Sequence, residues 1–302
     1  MHFVVIGGNG FIGRHFVSAA VSKGHRVTIV GRAASIADEH GPAVDYRSGG
    51  TQALAADSEL LSRADRICHF ATTSTPATSN ADPLADIESN LMSTVRLLEA
   101  MRQTGNRRIL FLSSGGAVYG RPHYLPIDEK HPLNPLSAYG VVKSAIERYL
   151  RMYEANYSLA PTIIRLANPY GPGQNSFGQL GAVSTFIHLA LTDQPATIWG
   201  DGSVIRDYVY ISDATALLLA AAESDATGTF NCGAGTGTSL IELMETVEQA
   251  TGKTLHRQFK PARSFDPPEV VLDVSLAHSI FGWRPAVPLT AGVSRTVKAL
   301  AD

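Results

Sequence analysis

The sequence predicts an α/β protein: a doubly wound parallel sheet followed by a smaller, mixed C-terminal lobe. Three observations carry that reading. Apolar, β-branched runs alternate with helical patterns through the first half. A glycine-rich turn joins the first such run to the first helix. The alternation then stops at a Gly- and Pro-rich stretch, NPYGPGQN, beginning at Asn168.

Runs at 3–6, 27–30, 66–70, 108–112 and 162–166 have the length and composition of strands buried on both faces. A weaker strand, 44–46, precedes a helical stretch at 52–61. The clearest helix is 87–101, with Leu91, Val95, Leu98 and Met101 on one stripe and Gly105 as its stop. Strands alternating with helices imply right-handed βαβ units. Beyond Asn168 the order is irregular. Ser239 and Glu242 form a capping box that opens a helix running to Ala250, and 289–300 reads as a closing, packing helix.

Composition narrows the function classes. The chain has 302 residues, 44% of them apolar and 17% charged, which excludes a disordered polyelectrolyte. A net charge of −2 provides no basic field for nucleic acid or an anionic membrane, so phosphate recognition must be local. The run 216–222 is far short of a membrane span, and 3–6 is too short for a signal peptide. Cys68 and Cys232 build neither a disulfide framework nor a CxxC site, and the ten histidines show no metal-ligand spacing. A soluble protein of the reducing cytoplasm, without a metal, is expected.

Gly7-Gly8-Asn9-Gly10-Phe11-Ile12-Gly13 ends the first strand and opens the first helix. Glycines at 7, 10 and 13 permit a tight turn, close approach of a pyrophosphate and tight helix–strand packing, with the helix N-terminus facing the anion. In the first βα turn of a βαβ pattern this marks a dinucleotide-binding Rossmann domain. Its expected extent is 1–168, with 169–302 forming mainly the substrate lobe and some segments returning to the first domain. At the end of the second strand an acid would bind a ribose 2′-hydroxyl. Gly31-Arg32 stands there instead, and an arginine accepts a 2′-phosphate, so NADP is favoured over NAD.

Tyr139 and Lys143 lie four apart at the start of a predicted helix and so share a face. A tyrosine with a pKa of about 10 is a poor base near neutrality, but a fixed cation beside it favours the phenolate. No nucleophile elbow and no phosphate loop ending in Gly-Lys-Ser/Thr is present. Gly233–Gly237 reads as a strand-to-helix turn.

Together with HFA at 69–71, Asn90 in ESNLMST, LSSGGAVYG at 112–120, RLANPYGPGQ at 165–174, GDGSVIRDYVYISD at 200–213 and RSFD at 263–266, these motifs identify a resemblance. The chain resembles the extended short-chain dehydrogenase/reductases of the NAD-dependent epimerase/dehydratase family, in the branch of UDP-galactose 4-epimerases and related nucleotide-sugar epimerases, over nearly its whole length. The resemblance implies that Tyr139 is the acid/base and that Lys143 is its partner and holds the nicotinamide ribose. It places Gly7, Gly10, Phe11, Ile12 and Gly13 in the cofactor turn, Asp45 and Tyr46 near the adenine, and Phe70 and Ala71 near the pyrophosphate. Asn168 would touch the sugar nucleotide, Arg206 and Arg263 its diphosphate, and Asp266 its ribose. Val270, four places after Asp266, would stand beside the sugar C2 substituent and leave room for an N-acetyl group.

Two departures stand out. The family places Ser or Thr four residues before the tyrosine of VYG, where this chain has Gly115; Ser114 is the natural substitute and Ser113 the fallback. Gly31-Arg32 replaces the acid of an NAD-bound epimerase. Gly115-Gly116-Ala117 supplies no acid for dehydratase chemistry. The leading expectation is a 4-epimerase of a UDP-hexose or UDP-N-acetylhexosamine, acting as a homodimer through helices 87–101 and 139–153. An NADPH-dependent reductase of a 4-keto-6-deoxy nucleotide sugar shares the same Tyr and Lys, and a non-catalytic dinucleotide sensor is the reading from another class.

Overall fold

The structure, a computed structural model, describes residues 1–33, 43–174, 181–262 and 267–301. β1 (His2–Ile6) leads through the glycine turn to α1 (Phe11–Ser22), followed by β2 (Arg26–Gly31) and β3 (Val44–Ser48). Two short helices, α2 (Gly50–Ala56) and α3 (Ser58–Arg63), precede β4 (Arg66–His69). Next come α4 (Pro76–Ala81), α5 (Pro83–Asp86) and a π-helical turn (Ile87–Met92) that runs into α6 (Ser93–Thr104). β5 (Arg108–Ser114), α7 (Ala138–Tyr157) and β6 (Ala160–Leu166) end the first half.

The second half begins with β7 (Asn168–Tyr170), α8 (Ala182–Leu191), β8 (Ala196–Trp199) and β9 (Ile205–Tyr210). α9 (Ile211–Glu223), β10 (Gly228–Cys232), β11 (Gly237–Ser239) and α10 (Leu240–Thr251) follow. The chain closes with β12 (Arg257–Lys260), β13 (Glu269–Val270), α11 (Ser275–Phe281) and α12 (Leu289–Ala301).

Seven strands form one parallel sheet in the order β10-β6-β5-β4-β1-β2-β3. The order reverses between β1 and β4, which opens a crevice at their carboxyl ends, the place where doubly wound sheets bind ligands. Strand alternation divides the core. Phe3 and Val5 point to a cluster with Phe16, Val17 and Leu217, while Val4 and Ile6 point to one with Leu97, Met101, Ile146 and Leu150. Each face of the sheet is thereby covered by helices, as an all-parallel sheet requires.

Two helices differ from the sequence pattern for local reasons. The stretch 52–61 is broken at Asp57, whose carboxylate accepts the N–H of Leu60 at 2.9 Å and so caps a second helix. The long helix begins as a π-helical turn, where the hydroxyls of Ser93 and Thr94 both donate to the carbonyl of Asn90. The expected capping box of Ser239 and Glu242 is present, and Gly105 ends α6 with φ +76°.

The smaller lobe holds a sheet of β11, β9 and β13, to which β7 adds through β9, and a parallel pair of β8 and β12. α8, α10 and α12 pack against one another around a third apolar cluster containing Phe186, Leu243 and Val293. β10 returns to the large sheet beside β6, and α9 packs on α1.

Candidate active site

At the crevice the glycine turn is built by steric necessity. Gly7 has φ +86°, and a Cβ on it would lie 2.8 Å from the Ala71 nitrogen at the end of β4. A Cβ on Gly13 would lie 2.1 Å from the Gly7 carbonyl oxygen, so α1 can start this close to the strand only with glycine there. Gly10 caps α1 without a side-chain acceptor, and the first turn holds no acid. The backbone N–H groups at Phe11 and Ile12 therefore face the crevice as an anion site. Phe70 follows β4, its N–H donating to the carbonyl of Ile6 at 3.0 Å, which fixes Phe70 and Ala71 opposite the turn. A dinucleotide pyrophosphate fits this cradle.

At the end of β2 the Tyr46 ring lies under Gly31, and its hydroxyl donates to the Ala33 carbonyl at 2.8 Å. A Cβ at Gly31 would sit 2.6 Å from that hydroxyl. The acid expected of an NAD-bound epimerase is thus sterically replaced, not simply missing. Arg32 lies alongside Gly50, whose added Cβ would meet the Arg32 Cγ at 3.4 Å. Asp45 corrects the sequence expectation. It pairs with Thr28 low on the strand and its carboxylate binds Arg26 at 2.7 Å, at the amino-terminal edge of the sheet and away from the crevice. Ser48, not Asp45, is level with Gly31.

Tyr139 stands in the first turn of α7, which Ser137 caps by accepting the N–H of Gly140. Gly140 packs directly on the loop after β5; a Cβ there would be 2.4 Å from the Ala117 carbonyl oxygen. This close docking brings the Tyr139 phenol near Ser114 at the end of β5. Burial pushes the phenol up to about 12; the charge of Asp86 adds to that and the nearby Ser114 hydroxyl opposes it. Lys143, one turn on, is buried and donates to the Leu112 carbonyl at 2.8 Å, with its ammonium 5.8 Å from the Tyr139 ring centre. Burial draws it down to about 8, against the charges of Glu147 and Asp86. His69, on β4, is held neutral at about 3 by burial and by Lys143, and its Nε2 lies 3.2 Å from the Thr94 hydroxyl.

Two neighbours bear on the serine question. The Ser113 hydroxyl donates to Glu147, which is itself paired with Arg165 at 2.6 Å in a buried ion pair. Ser113 is therefore engaged with Glu147, and Ser114 is the serine whose hydroxyl acts on Tyr139. At Gly115 a Cβ would fall 2.6 Å from the buried Leu272 side chain, so no hydroxyl-bearing residue fits there unless Leu272 moves.

The loop after Gly115 reaches the second half of the site. A Cβ on Gly116 would meet only the Asn168 side chain, at 4.0 Å. Asn168 anchors itself by donating to the Asp207 carbonyl at 2.9 Å and forms one end of a cleft of ≈ 360 Å³. Arg206, Tyr208, Trp199, Thr197 and Leu240 are among the residues that line it. Arg206 donates to the carbonyls of Ile205 and Pro267 at 2.8 and 2.9 Å. Behind it the Asp207 carboxylate accepts the N–H groups of Ala234, Gly235 and Leu272, and burial raises it to about 6. The second glycine cluster wraps around that carboxylate. Val270 is the other correction. It is 3% exposed, packed in the core with Leu272, and lines no part of the cleft, so it is no gate for a C2 substituent. Arg263 and Asp266 lie outside the described residues.

The sequence reading passed over Trp199 and Asp86. Trp199 ends a short strand with an alternating pattern of burial, and alternation was its only signal. Asp86 lies one helical turn before Asn90 and belongs to none of the family motifs; its position i−4 on the same face was the available clue.

Comparison with known proteins shows the family. The UDP-glucose 4-epimerase of Mycolicibacterium smegmatis is 35% identical over 309 residues, covering 99% of this chain and 98% of that one. The crystal structure of the Thermotoga maritima UDP-glucose 4-epimerase with UDP-glucose superposes with a TM-score of 0.93 at 32% identity, covering 100% of this chain and 99% of the other. The Thermus thermophilus UDP-glucose 4-epimerase in complex with NAD gives 0.92 at 32% identity, again over 100% and 99%. Residues 3–233, from the glycine turn through the Tyr139–Lys143 helix to the return of β10, match the model of one family, and the chain belongs to it: the NAD-dependent epimerase/dehydratase family.

Proposed function

We propose that the protein interconverts the C4 epimers of a UDP-hexose or UDP-N-acetylhexosamine. The observation that carries this is the Tyr139–Lys143 pair, set near the switch point of the sheet with Ser114 close by, and the loop after Ser114 leading to Asn168 in the cleft lining. A nicotinamide dinucleotide, when bound, supplies the acceptor that takes hydrogen from C4 and returns it. Tyr139 Oη moves the proton at the C4 oxygen, with Ser114 holding the same oxygen by its hydroxyl. Lys143 supplies the fixed positive charge and a donor for the nicotinamide ribose. Gly7, Gly10, Phe11, Ile12, Gly13, Phe70 and Ala71 hold the pyrophosphate, and Asn168 and Arg206 hold the sugar nucleotide. Sugar and uridine enter the cleft between Asn168 and Trp199. Assembly as a homodimer through the π-helical turn, α6 and α7 would cover Met92, Val141, Tyr149 and Met152, all exposed. No helix among the described residues is long and apolar enough to cross a membrane, and both described cysteines are buried and unpaired, in keeping with a cytoplasmic enzyme.

The test is conversion of UDP-glucose to UDP-galactose, and of the N-acetyl pair, followed by proton NMR with and without added NAD. Equilibration of either pair, slowed by about two to four orders of magnitude in Tyr139→Phe, is the expected result. A second reading is favoured by Gly31 and Arg32: an NADPH-dependent reductase of a 4-keto sugar nucleotide, in which Arg32 takes the 2′-phosphate. Stoichiometric loss of NADPH absorbance with a 4-keto substrate would select it. Absence of both activities would leave a dinucleotide sensor.

A further inference from the structure

The glycine turn and the cleft belong to different lobes, and one short loop touches the elements that build both. Residues 171–173 follow β7, whose Asn168, Pro169 and Tyr170 line the cleft, and run against α1. His15, one turn inside α1, meets them there: its Nε2 lies 2.9 Å from the Pro172 carbonyl oxygen, across 157 residues of chain. A carbonyl oxygen only accepts, so Nε2 carries the proton and donates. Arg14 lies beside the same loop. A Cβ on Gly173 would meet its Nη1 at 3.6 Å, and its Nη2 donates to the Asn9 carbonyl of the glycine turn at 3.3 Å.

His15 is tied to the cradle as well as to the loop. The Phe11 ring stands edge-on to it, 5.6 Å between ring centres. Phe11 supplies one of the N–H groups of the anion site, and its side chain packs on the third apolar cluster, which contains Tyr170. The near end of the loop is held closely too. Gly171 has φ +151°, and a Cβ on it would lie 2.4 Å from Ile211 Cγ2 at the start of α9. β7 pairs with β9, Asn168 opposite Tyr208, and Asn168 Nδ2 donates to the Asp207 carbonyl at 2.9 Å. A shift of Pro172 against α1 is thus passed along a short, braced stretch to Asn168.

We infer that His15 is a positioning residue that couples the two ligand sites. A dinucleotide seated on the first turn of α1 holds the loop, through His15, where Asn168 meets the sugar nucleotide. His15 itself touches neither ligand in this role. A first ligand that steadies α1 and the loop leaves less for the second to order, and the coupling is reciprocal. The inference rests on the reading of the glycine turn as the dinucleotide site and of the cleft as the sugar-nucleotide site.

Calorimetric titration of UDP into the dinucleotide-free protein, and into the protein saturated with NADP (or with NAD if that binds more tightly), measures the coupling. In the wild type UDP should bind at least about fivefold more tightly with the dinucleotide present, the lower end of ordinary coupling between sites. His15→Phe keeps an aromatic ring against Phe11 and removes the donor. The enhancement should then fall to about twofold or less, while dinucleotide affinity without UDP stays within roughly twofold of wild type. His15→Gln, which returns an N–H donor at similar reach, should keep the enhancement. Loss of packing alone would weaken both ligands or lower Tm without changing the ratio. Full enhancement in folded His15→Phe overturns the inference, as does a wild type that shows none. His15→Leu reads the same ratio if the phenylalanine variant does not fold. Because the readout is binding without turnover, a protein that shows the coupling and interconverts no sugar nucleotide would refute the epimerase reading and support this inference. A protein that binds neither ligand would overturn both.

Discussion

Replacing Gly115 with serine would return a hydroxyl to the place where related enzymes carry one, and the structure says that the change should harm the protein. The new Cβ would lie 2.6 Å from Leu272 Cδ1 and 3.2 Å from the Arg165 carbonyl oxygen. Leu272 has little freedom to retreat. It is fully buried, its N–H donates to Asp207, and the backbone on either side is pinned to Ile127 by two bonds of 2.8 Å. Forcing an extra side chain into such packing costs about 1–3 kcal/mol. For a chain of this size that corresponds to a fall in Tm of roughly 2–5 °C. Leu272→Ala alone opens a cavity and should cost about 2–5 kcal/mol. In the double variant each change relieves the other, so the loss should be smaller than the sum by roughly 0.5–3 kcal/mol. Differential scanning calorimetry of the four proteins gives the coupling, and kcat for epimer interconversion shows whether the restored hydroxyl competes with Ser114. Wild-type Tm and activity in Gly115→Ser would refute the steric account, and strict additivity would remove Leu272 from it.

Tyr139→Phe should lower kcat by about two to four orders of magnitude with KM little changed, and Ser114→Ala by roughly tenfold or more, the worth of one hydrogen bond to a developing charge. Steady-state kinetics on the preferred sugar nucleotide checks both. Activity should decline above about pH 8, where Lys143 loses its proton. The same depressed pKa makes its contribution to stability rise, not fall, from about pH 8 up to its unfolded value, because there the unfolded chain binds the extra proton. An alkaline loss of rate unaccompanied by loss of structure in circular dichroism is therefore expected. Arg32→Asp should shift preference from NADP towards NAD by several-fold to hundreds-fold, from roughly 4 kcal/mol for adjacent charges in a surface dielectric. Gly31→Asp alone should weaken both cofactors, since its Cβ meets the Tyr46 hydroxyl, whereas Gly31→Asp with Tyr46→Ala should recover NAD binding in a fluorescence titration.

What could be read from the sequence was local. The apolar runs, the glycine spacing and the i, i+4 pair of Tyr139 and Lys143 each state their own structure within a few residues. Asp45 failed because its role depended on strand register. β3 continues to Ser48 and stops only at Gly49, which puts Asp45 three pairs below Gly31, and nothing within 44–46 reveals where the strand ends. Val270 failed because a two-residue strand gives no alternation from which to tell core from cleft. The choice between Ser113 and Ser114 was open in sequence because the partner that engages Ser113, Glu147, is 34 residues away. Asp86 stayed hidden because Asp82-Pro83 breaks the chain into two short helices, and its partners Ser74 and Ser79 come from before the break.

The return of β10 and α9 to the large sheet has a mechanical consequence. The backbone leaves the sheet at 167, comes back at 211, leaves again at 233–236, packs α11 against β10 and α9, and departs once more to α12 beside α10. Two bodies stitched by that many crossings cannot swing about a single hinge, because each strand of connection would need to bend at once. The cleft itself is walled by residues of β7, α8, β8, β9 and α10, all in the smaller lobe, so adaptation to sugars of different size falls to side chains along its walls. A fragment ending at 168 would bare the hydrogen-bonding edge of β6 and the apolar flank of α1, the kind of surface on which chains aggregate.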